Sequence, residues 1–448
     1  MQLKEVIESP CGLRYMFDSL DLQSGYGRRC LLDQAMMQGA DEIAGCYAVL
    51  KAFYDFVIAE DNTPYINTLR AKLQCLKDVR TTIKHLADGV VLDDIELFEV
   101  KHLAILAADM EERLAQCGLD KVVSMPAMQS VIGILDPDGL KIATFYIYDS
   151  YSEPLKAIRA QIRKNPERQE TLLLEANAIE EQVRERLSCD LRQYAGHIEQ
   201  AQKALAEVDI NLAKALQMKQ MQLCFPSIET ENTCYQGLFH PQVKEALSSK
   251  GKTFQAIDIC FGQQATLITG ANMGGKTVVL KALTLCQYLF QFGFGIPALA
   301  AAIAVKEEIH FCIGDEQSIE KGLSSFAAEM KNIDAVIKAS RTGRKLVALV
   351  DEPARTTNPT EGAALVTALI TLLSQQAVSL IVTTHYDIAS EQAKRLRVKG
   401  YVNGQMDYQL VSVEKGEVPH EALTIAEDLG IDKAWIQAAR AVLKREMK

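Results

Sequence analysis

The chain has little of what several common kinds of protein require. Aromatic residues make up only 6% of its 448 residues, with a single tryptophan, while the hydrophobic fraction is 48%. That balance disfavours a β-sandwich and points to an aliphatic, helix-rich protein. Basic charge is in deficit: 48 Lys and Arg stand against 58 Asp and Glu, a net charge of -10. A protein that grips nucleic acid through phosphate neutralisation needs a basic surface, so the total lends such binding no support and leaves only a local patch to provide it. No CxxC occurs among the 11 cysteines, and no histidine lies at metal-ligand spacing from them. An odd number of scattered cysteines reads as free, mostly buried thiols in a reducing compartment. Long apolar runs are missing too. The opening MQLKEVIESPCGLRYMF has no signal-peptide core, and the stretch from Ile296 to Val305 is far short of a membrane span. The expectation is a cytoplasmic protein with no membrane partner.

Two styles of sequence meet near residue 235. The first half reads as helix after helix, over 28–58, 66–87, 94–117 and the long, charged, glycine-poor stretch 155–220. Pro166 should break or begin a helix there, which predicts a pair of long antiparallel helices. Between 131 and 148 the pattern alternates around Asp136-Pro137-Asp138-Gly139, a turn sequence that predicts a short hairpin. The second half changes to apolar β-type runs followed by glycine turns and helices. Residues 265–269, 345–350 and 378–383 are short buried strands bounded by helical sequence, which implies a largely parallel sheet covered on both faces.

Gly270-Ala271-Asn272-Met273-Gly274-Gly275-Lys276-Thr277 fits G-x-x-x-x-G-K-T between a buried strand and a helix. Glycines let backbone N–H groups wrap phosphates, and a helix N-terminus adds the positive end of its dipole. Lys276 is expected to reach the β- and γ-phosphates of ATP and Thr277 to ligate Mg²⁺. Asp351-Glu352 closes the strand KLVALV, where phosphates bind in parallel sheets. Asp351 would hold Mg²⁺, and Glu352 would orient or deprotonate the attacking water. His385, just after the third strand, could sense the γ-phosphate, although a lone histidine there also fits a structural role. Gly322-Leu323-Ser324-Ser325-Phe326-Ala327-Ala328-Glu329-Met330 opens a helix with small polar residues, which suits an anion site and equally suits a plain cap.

Together these motifs resemble the MutS family of ABC-type ATPases. The Asn-Met-Gly-Gly-Lys core, Phe294-Gly295-Ile296-Pro297-Ala298, the segment Gly322 to Met330 and Thr384-His385-Tyr386 are each similar to a family element. So are Phe239-His240-Pro241 and the segments Glu421 to Ala426 and Leu429-Gly430-Ile431. A weaker likeness at Gly25-Tyr26-Gly27-Arg28-Arg29 resembles the start of the family's helical lever. The resemblance implies an all-α lever domain over 1–235, a P-loop ATPase domain over 236–404 and a C-terminal dimerisation segment over 405–448. It implies that Phe254, four residues before Asp258, stacks on adenine, that Asn272 lies beside the γ-phosphate, and that two ATPase domains face each other. Each would lend Ser324 or Ser325 to the other's nucleotide, in a homodimer or a paralogous dimer.

The sequence also departs from the mismatch-repair members. Lever-like sequence begins almost at residue 1, and no Phe-x-Glu wedge is present. After Glu352 runs Pro353-Ala354-Arg355-Thr356-Thr357-Asn358-Pro359, in the place of the loop that couples the two nucleotide sites. Arg355, Thr357 and Asn358 fall there, and Pro359 stiffens it. This loop looks like that of MutS-like factors that reactivate adenosylcobalamin-dependent lysine or ornithine aminomutases. The expectation is therefore an ATPase that remodels an aminomutase, with a MutS-type protein binding mismatched, branched or damaged DNA as the alternative. The DNA reading calls for a basic surface on the helical arms, for which Lys156, Arg159, Arg163, Lys164 and Arg168 are candidates, balanced by Glu167 and Glu170.

Overall fold

The computed structural model describes residues 1–142, 144–164, 166–270, 274–313, 325–386, 388, 390–402, 405–413, 423, 426–427 and 430–446. The chain divides into two compact units, one of residues 20–34 and 48–219, the other of 1–19, 35–47 and 220–448.

The first unit is helical among its described residues, with Gly25–Asp33, Thr63–Leu73, Arg80–Asp88, Asp94–Cys117, Gln129–Leu135, Glu153–Lys164 and Gln169–Arg192 leading into Ala195–Met221. Helix Asp94–Cys117 starts with a capping box, Asp93 accepting from the Glu96 N–H while Glu96 accepts from that of Asp93, and stops at Gly118 in the left-handed region. Pro166 opens a 3-10 turn between Glu153–Lys164 and Gln169–Arg192, as a chain break there requires. The hairpin expected over 131–148 does not form: Gln129–Leu135 is a helix, and no strand occurs among the described residues up to 148. Val131 and Leu135, one helical turn apart, are both buried. The turn survives, Gly139 N–H donating to the Asp136 carbonyl at 2.9 Å. The Asp136 carboxylate is committed to the fully buried Lys101 ammonium at 3.0 Å, which also donates to the Tyr148 hydroxyl. Burying that charge requires a paired partner, and this need overrides the local alternation.

Buried Asp209 explains the Gly-Tyr-Gly-Arg-Arg segment. Its carboxylate accepts from the Gln23 N–H, the Ser24 N–H and the Ser24 hydroxyl, and Ser24 caps helix Gly25–Asp33. A Cβ on Gly27 would meet Asp209 Oδ2 at 2.6 Å, so the position admits only glycine.

Among its described residues the second unit holds two sheets. The strands are β1 (Pro226–Glu229), β2 (Thr233–Leu238), β3 (Ile257–Phe261), β4 (Ala265–Thr269), β5 (Ala300–Ala304), β6 (Glu308–Ile313), β7 (Leu346–Asp351), β8 (Val378–Thr384), β9 (Ala393–Val402) and β10 (Gln405–Ser412). The small sheet runs β1-β5-β2-β3 and the large one β10-β9-β4-β8-β7-β6. Within the large sheet all neighbours are parallel except β10, which pairs antiparallel with β9 at the edge. Every residue of β7 and β8 is buried, as both-sided cover demands. Val366, Leu369 and Ile370 of helix Pro359–Leu373 and Ile333 and Val336 of helix Ser325–Ser340 pack on Leu267, Ala348, Val350, Leu380 and Val382. Helix Lys276–Gln291 packs against β7 and β8 as well.

Residues 1–19 and 35–47 belong to this α/β unit, whereas the sequence places them with the helices. Polar anchors account for the difference. His240 Nε2 lies 3.0 Å from the Cys11 carbonyl, with its ring over Gly12, where a Cβ would meet it at 2.7 Å. The Tyr15 hydroxyl donates to Glu245 at 2.7 Å, the Tyr47 hydroxyl donates to the Phe294 carbonyl at 2.8 Å, and Met37 and Gln291 exchange two hydrogen bonds. The cysteines are not all free, because the β2–β3 register sets Cys234 opposite Cys260 and the two form a disulfide. Among the described residues no helix is long and apolar enough to cross a membrane.

Lys306, between β5 and β6, is 5% exposed and donates to the Ser379 hydroxyl at 2.8 Å. Burial, aided by the charge of Lys345, lowers its pKa from 10.5 to about 8. Protonated Lys306 therefore costs stability below about pH 8, and the cost fades towards pH 10.5, where the unfolded chain also loses its proton. Lys306→Met should raise stability at pH 7 by roughly 1–3 kcal/mol and remove the rise between those pH values, as read from urea unfolding across pH.

Candidate nucleotide-binding site

The carboxyl ends of β4, β7 and β8 meet at one place. β4 delivers Gly270, at φ 147°, where a Cβ would lie 3.1 Å from Val398 Cβ, so a side chain there is strained. Gly275, at φ 74°, precedes helix Lys276–Gln291, and a Cβ there would press on the Tyr408 ring at 3.2 Å. Lys276, only 4% exposed, donates to the Gly270 carbonyl at 2.8 Å and pairs with Glu352 at 3.1 Å. Beside it the Thr277 hydroxyl donates to Asp351 Oδ2 at 2.7 Å, and the Thr383 hydroxyl donates to Asp351 Oδ1 at 2.6 Å. The Glu352 N–H turns back onto Thr383, at 3.1 Å from its carbonyl and 3.0 Å from its hydroxyl. A buried ammonium, a helix N-terminus, and a hydroxyl and carboxylate in contact suit a polyphosphate with a hard divalent cation held by oxygen donors. Ala271, Asn272, Met273 and Ser324 lie outside the described residues, and Ser325 is the first residue of helix Ser325–Ser340.

A cavity of about 380 Å³ opens beside the phosphate loop. Phe254 lines it with Phe239, Ile257, Gly275, Val279 and Tyr408. Gln255 fixes this wall, donating to Asp407 at 2.8 Å and accepting from the Tyr408 N–H at 2.9 Å. Lys399 beside Asp407, with hydrogen bonds from Gln409 and Gln255, holds its carboxyl down at about 2. Tyr408 and Gln255 carry no sequence signal, since their place depends on an edge strand whose contacts with the loop it pins span 152 and 153 residues. Asp258 has a structural task, accepting from the Gly237 N–H at 2.7 Å.

The other expected residues divide. His385 is exposed and packs against Tyr386, ring centroids 4.3 Å apart. Arg355 is half-exposed and lies 3.7 Å from Glu352. The Thr357 N–H closes a turn onto the Ala354 carbonyl. Asn358 is an N-cap, its side chain accepting from the Thr360 N–H, with Pro359 as first residue of the helix. The loop's unusual sequence is thus in part a helix start. On the arm, Arg159 is taken by Asp149 at 2.6 Å and Glu180 at 2.8 Å, and Lys156 pairs with Glu153. Arg163, Lys164 and Arg168 stay exposed, with no carboxylate partner among the described residues.

A lysine-bearing loop after a parallel strand, facing an acidic strand end, defines a P-loop nucleotide-binding fold. Residues 266–444 match the family described as MutS domain V, so this part of the chain is similar to that domain. The chain is 33% identical over 280 residues to a protein of Caldicellulosiruptor saccharolyticus named Endonuclease MutS2, a match covering 59% of the chain and 34% of that relative. It is 26% identical over 436 residues to one of the same name from Staphylococcus saprophyticus, covering 88% of the chain and 53% of the relative. With one from Pelotomaculum thermopropionicum it shares 27% over 464 residues, covering 94% and 55%. The chain thus spans between about a third and just over half the length of these relatives.

Thr383 is fully buried and serves both Asp351 and Glu352. Thr383→Val should cost about 1–3 kcal/mol in denaturant unfolding, because Asp351 loses a donor in a buried place.

Proposed function

We propose that this chain is an ATP-dependent switch that works as a dimer on DNA, binding branched or damaged duplexes. The observation that carries the nucleotide part is the Lys276 ammonium held between the Gly270 carbonyl and Glu352, beside Thr277 and Asp351. The phosphates of ATP would replace Glu352 as the partner of Lys276, freeing the carboxylate to take a proton from the attacking water. Thr277 and Asp351 would hold Mg²⁺, which supplies charge neutralisation at the phosphates. Phe254 and Tyr408 flank the cavity that would take the base. His385, exposed beside the site, is left to meet the γ-phosphate, and Ser324, Ser325, Asn272, Arg355 and Thr357 would act between two subunits. Exposed Trp435 and Val442, seven residues apart on helix Lys433–Glu446, form an apolar stripe suited to a second subunit.

The DNA client is favoured over an aminomutase by the relatives, which are named as endonucleases. The loop that suggested the aminomutase client has a local explanation in the Asn358 cap. The helical unit of residues 20–34 and 48–219 would serve as the lever. Arg163, Lys164 and Arg168 are exposed cations on it with no carboxylate partner among the described residues.

ATP turnover should be stimulated by branched DNA and not by a cobalamin-dependent aminomutase; the opposite pattern would sink the DNA client. Lys276→Ala should lower turnover by at least about 100-fold, and undiminished turnover would refute the site. Replacing Arg163, Lys164 and Arg168 by alanine should flatten the salt dependence of DNA binding by up to about three phosphate contacts, read as the slope of log K against log salt.

A further inference from the structure

The residue after Pro353 is clasped from two sides. The Ala354 N–H donates to Glu329 Oε1 at 2.8 Å, and the Ala354 carbonyl accepts from the Tyr386 hydroxyl at 2.7 Å. Ala354 is fully buried and has φ 61°, and Glu352, two residues earlier, has φ 44°. Both lie in the left-handed region, which strains a residue with a Cβ and persists only when its surroundings impose it. Glu329 comes from helix Ser325–Ser340, and Tyr386 follows β8. Tyr386 is in turn seated by Gly362, where a Cβ would meet its hydroxyl at 2.4 Å. Burial pushes the Glu329 carboxyl up, and the Ala354 N–H pulls it back.

We propose that Glu329 and Tyr386 are positioning residues for Glu352: by gripping Ala354 from opposite sides they impose the left-handed path that sets the Glu352 carboxylate beside Lys276. The clasp also ties that carboxylate to the helix whose first turn carries Ser325, so a shift of this helix is passed to Glu352 through one hydrogen bond. The proposal rests on the nucleotide-switch reading above.

The test is steady-state ATP hydrolysis by the full chain, with binding of a fluorescent ATP analogue and thermal melting alongside. Glu329→Ala and Tyr386→Phe should lower kcat by about tenfold while KM and analogue affinity stay within about twofold, because misplacing a catalytic group affects the chemical step more than binding. Glu329→Gln should keep kcat within about threefold of wild type, since an amide oxygen still accepts from the Ala354 N–H. If Glu329→Ala fails to fold, Tyr386→Phe decides alone. Unchanged kcat in Tyr386→Phe, or equal losses in Glu329→Gln and Glu329→Ala, overturns the proposal. An unsubstituted chain that binds and hydrolyses no ATP overturns both this and the reading beneath it.

Discussion

Asp351 joins the parts of the candidate nucleotide site. Its two carboxylate oxygens accept from two hydroxyls, that of Thr277 in the helix after β4 and that of Thr383 in β8. β7 lies beside β8, and β8 beside β4, so one side chain spans the width of the site. At 8% exposure the carboxylate is removed from water, and it is tolerable there because both oxygens are satisfied. Glu352 and Lys276 inherit their places from it, Glu352 by a backbone turn onto Thr383 and Lys276 by the helix that also carries Thr277.

That arrangement needs a rigid support, and the large sheet provides one. Registered parallel pairing sets Asp351 opposite Thr383, and Thr269 opposite Thr384, at the same height. Thr383 is fully buried and Asp351 is 8% exposed, so the hydrogen bond between them forms largely out of water, which strengthens it. The edge strand β10 reaches the same region from the other side. Through Asp407, Tyr408 and Gln409 it fixes residues 255–256 and borders the cavity that Phe254 lines. The site is therefore bordered by a wall set by tertiary contacts.

The helical unit uses the same physical logic with different residues. Lys101 with Asp136, and Asp209 with Ser24, are buried polar groups whose partners are all supplied from within that unit. Such groups add little net stability compared with apolar substitutes, yet they reject alternatives that leave a charge unpaired. Rejecting them is enough to make residues 129–135 helical despite an alternating pattern, and to demand glycine at position 27.

What the sequence determined by itself was local: the glycine loop between strand and helix, the acidic pair ending an apolar strand, and the fully buried parallel strands. Each rests on spacing within a dozen residues, where backbone sterics and burial act directly. The docking of residues 1–19 and 35–47 onto the α/β unit was not legible, nor were the roles of Tyr408, Thr383 and Glu329 or the pairing of Cys234 with Cys260. Those depend on hydrogen bonds and contacts between residues from 25 to more than 200 positions apart, such as Glu329 with Ala354 at a separation of 25 and His240 with Cys11 at a separation of 229. Only packing brings such residues together, because no local pattern specifies a partner that the chain must fold to meet.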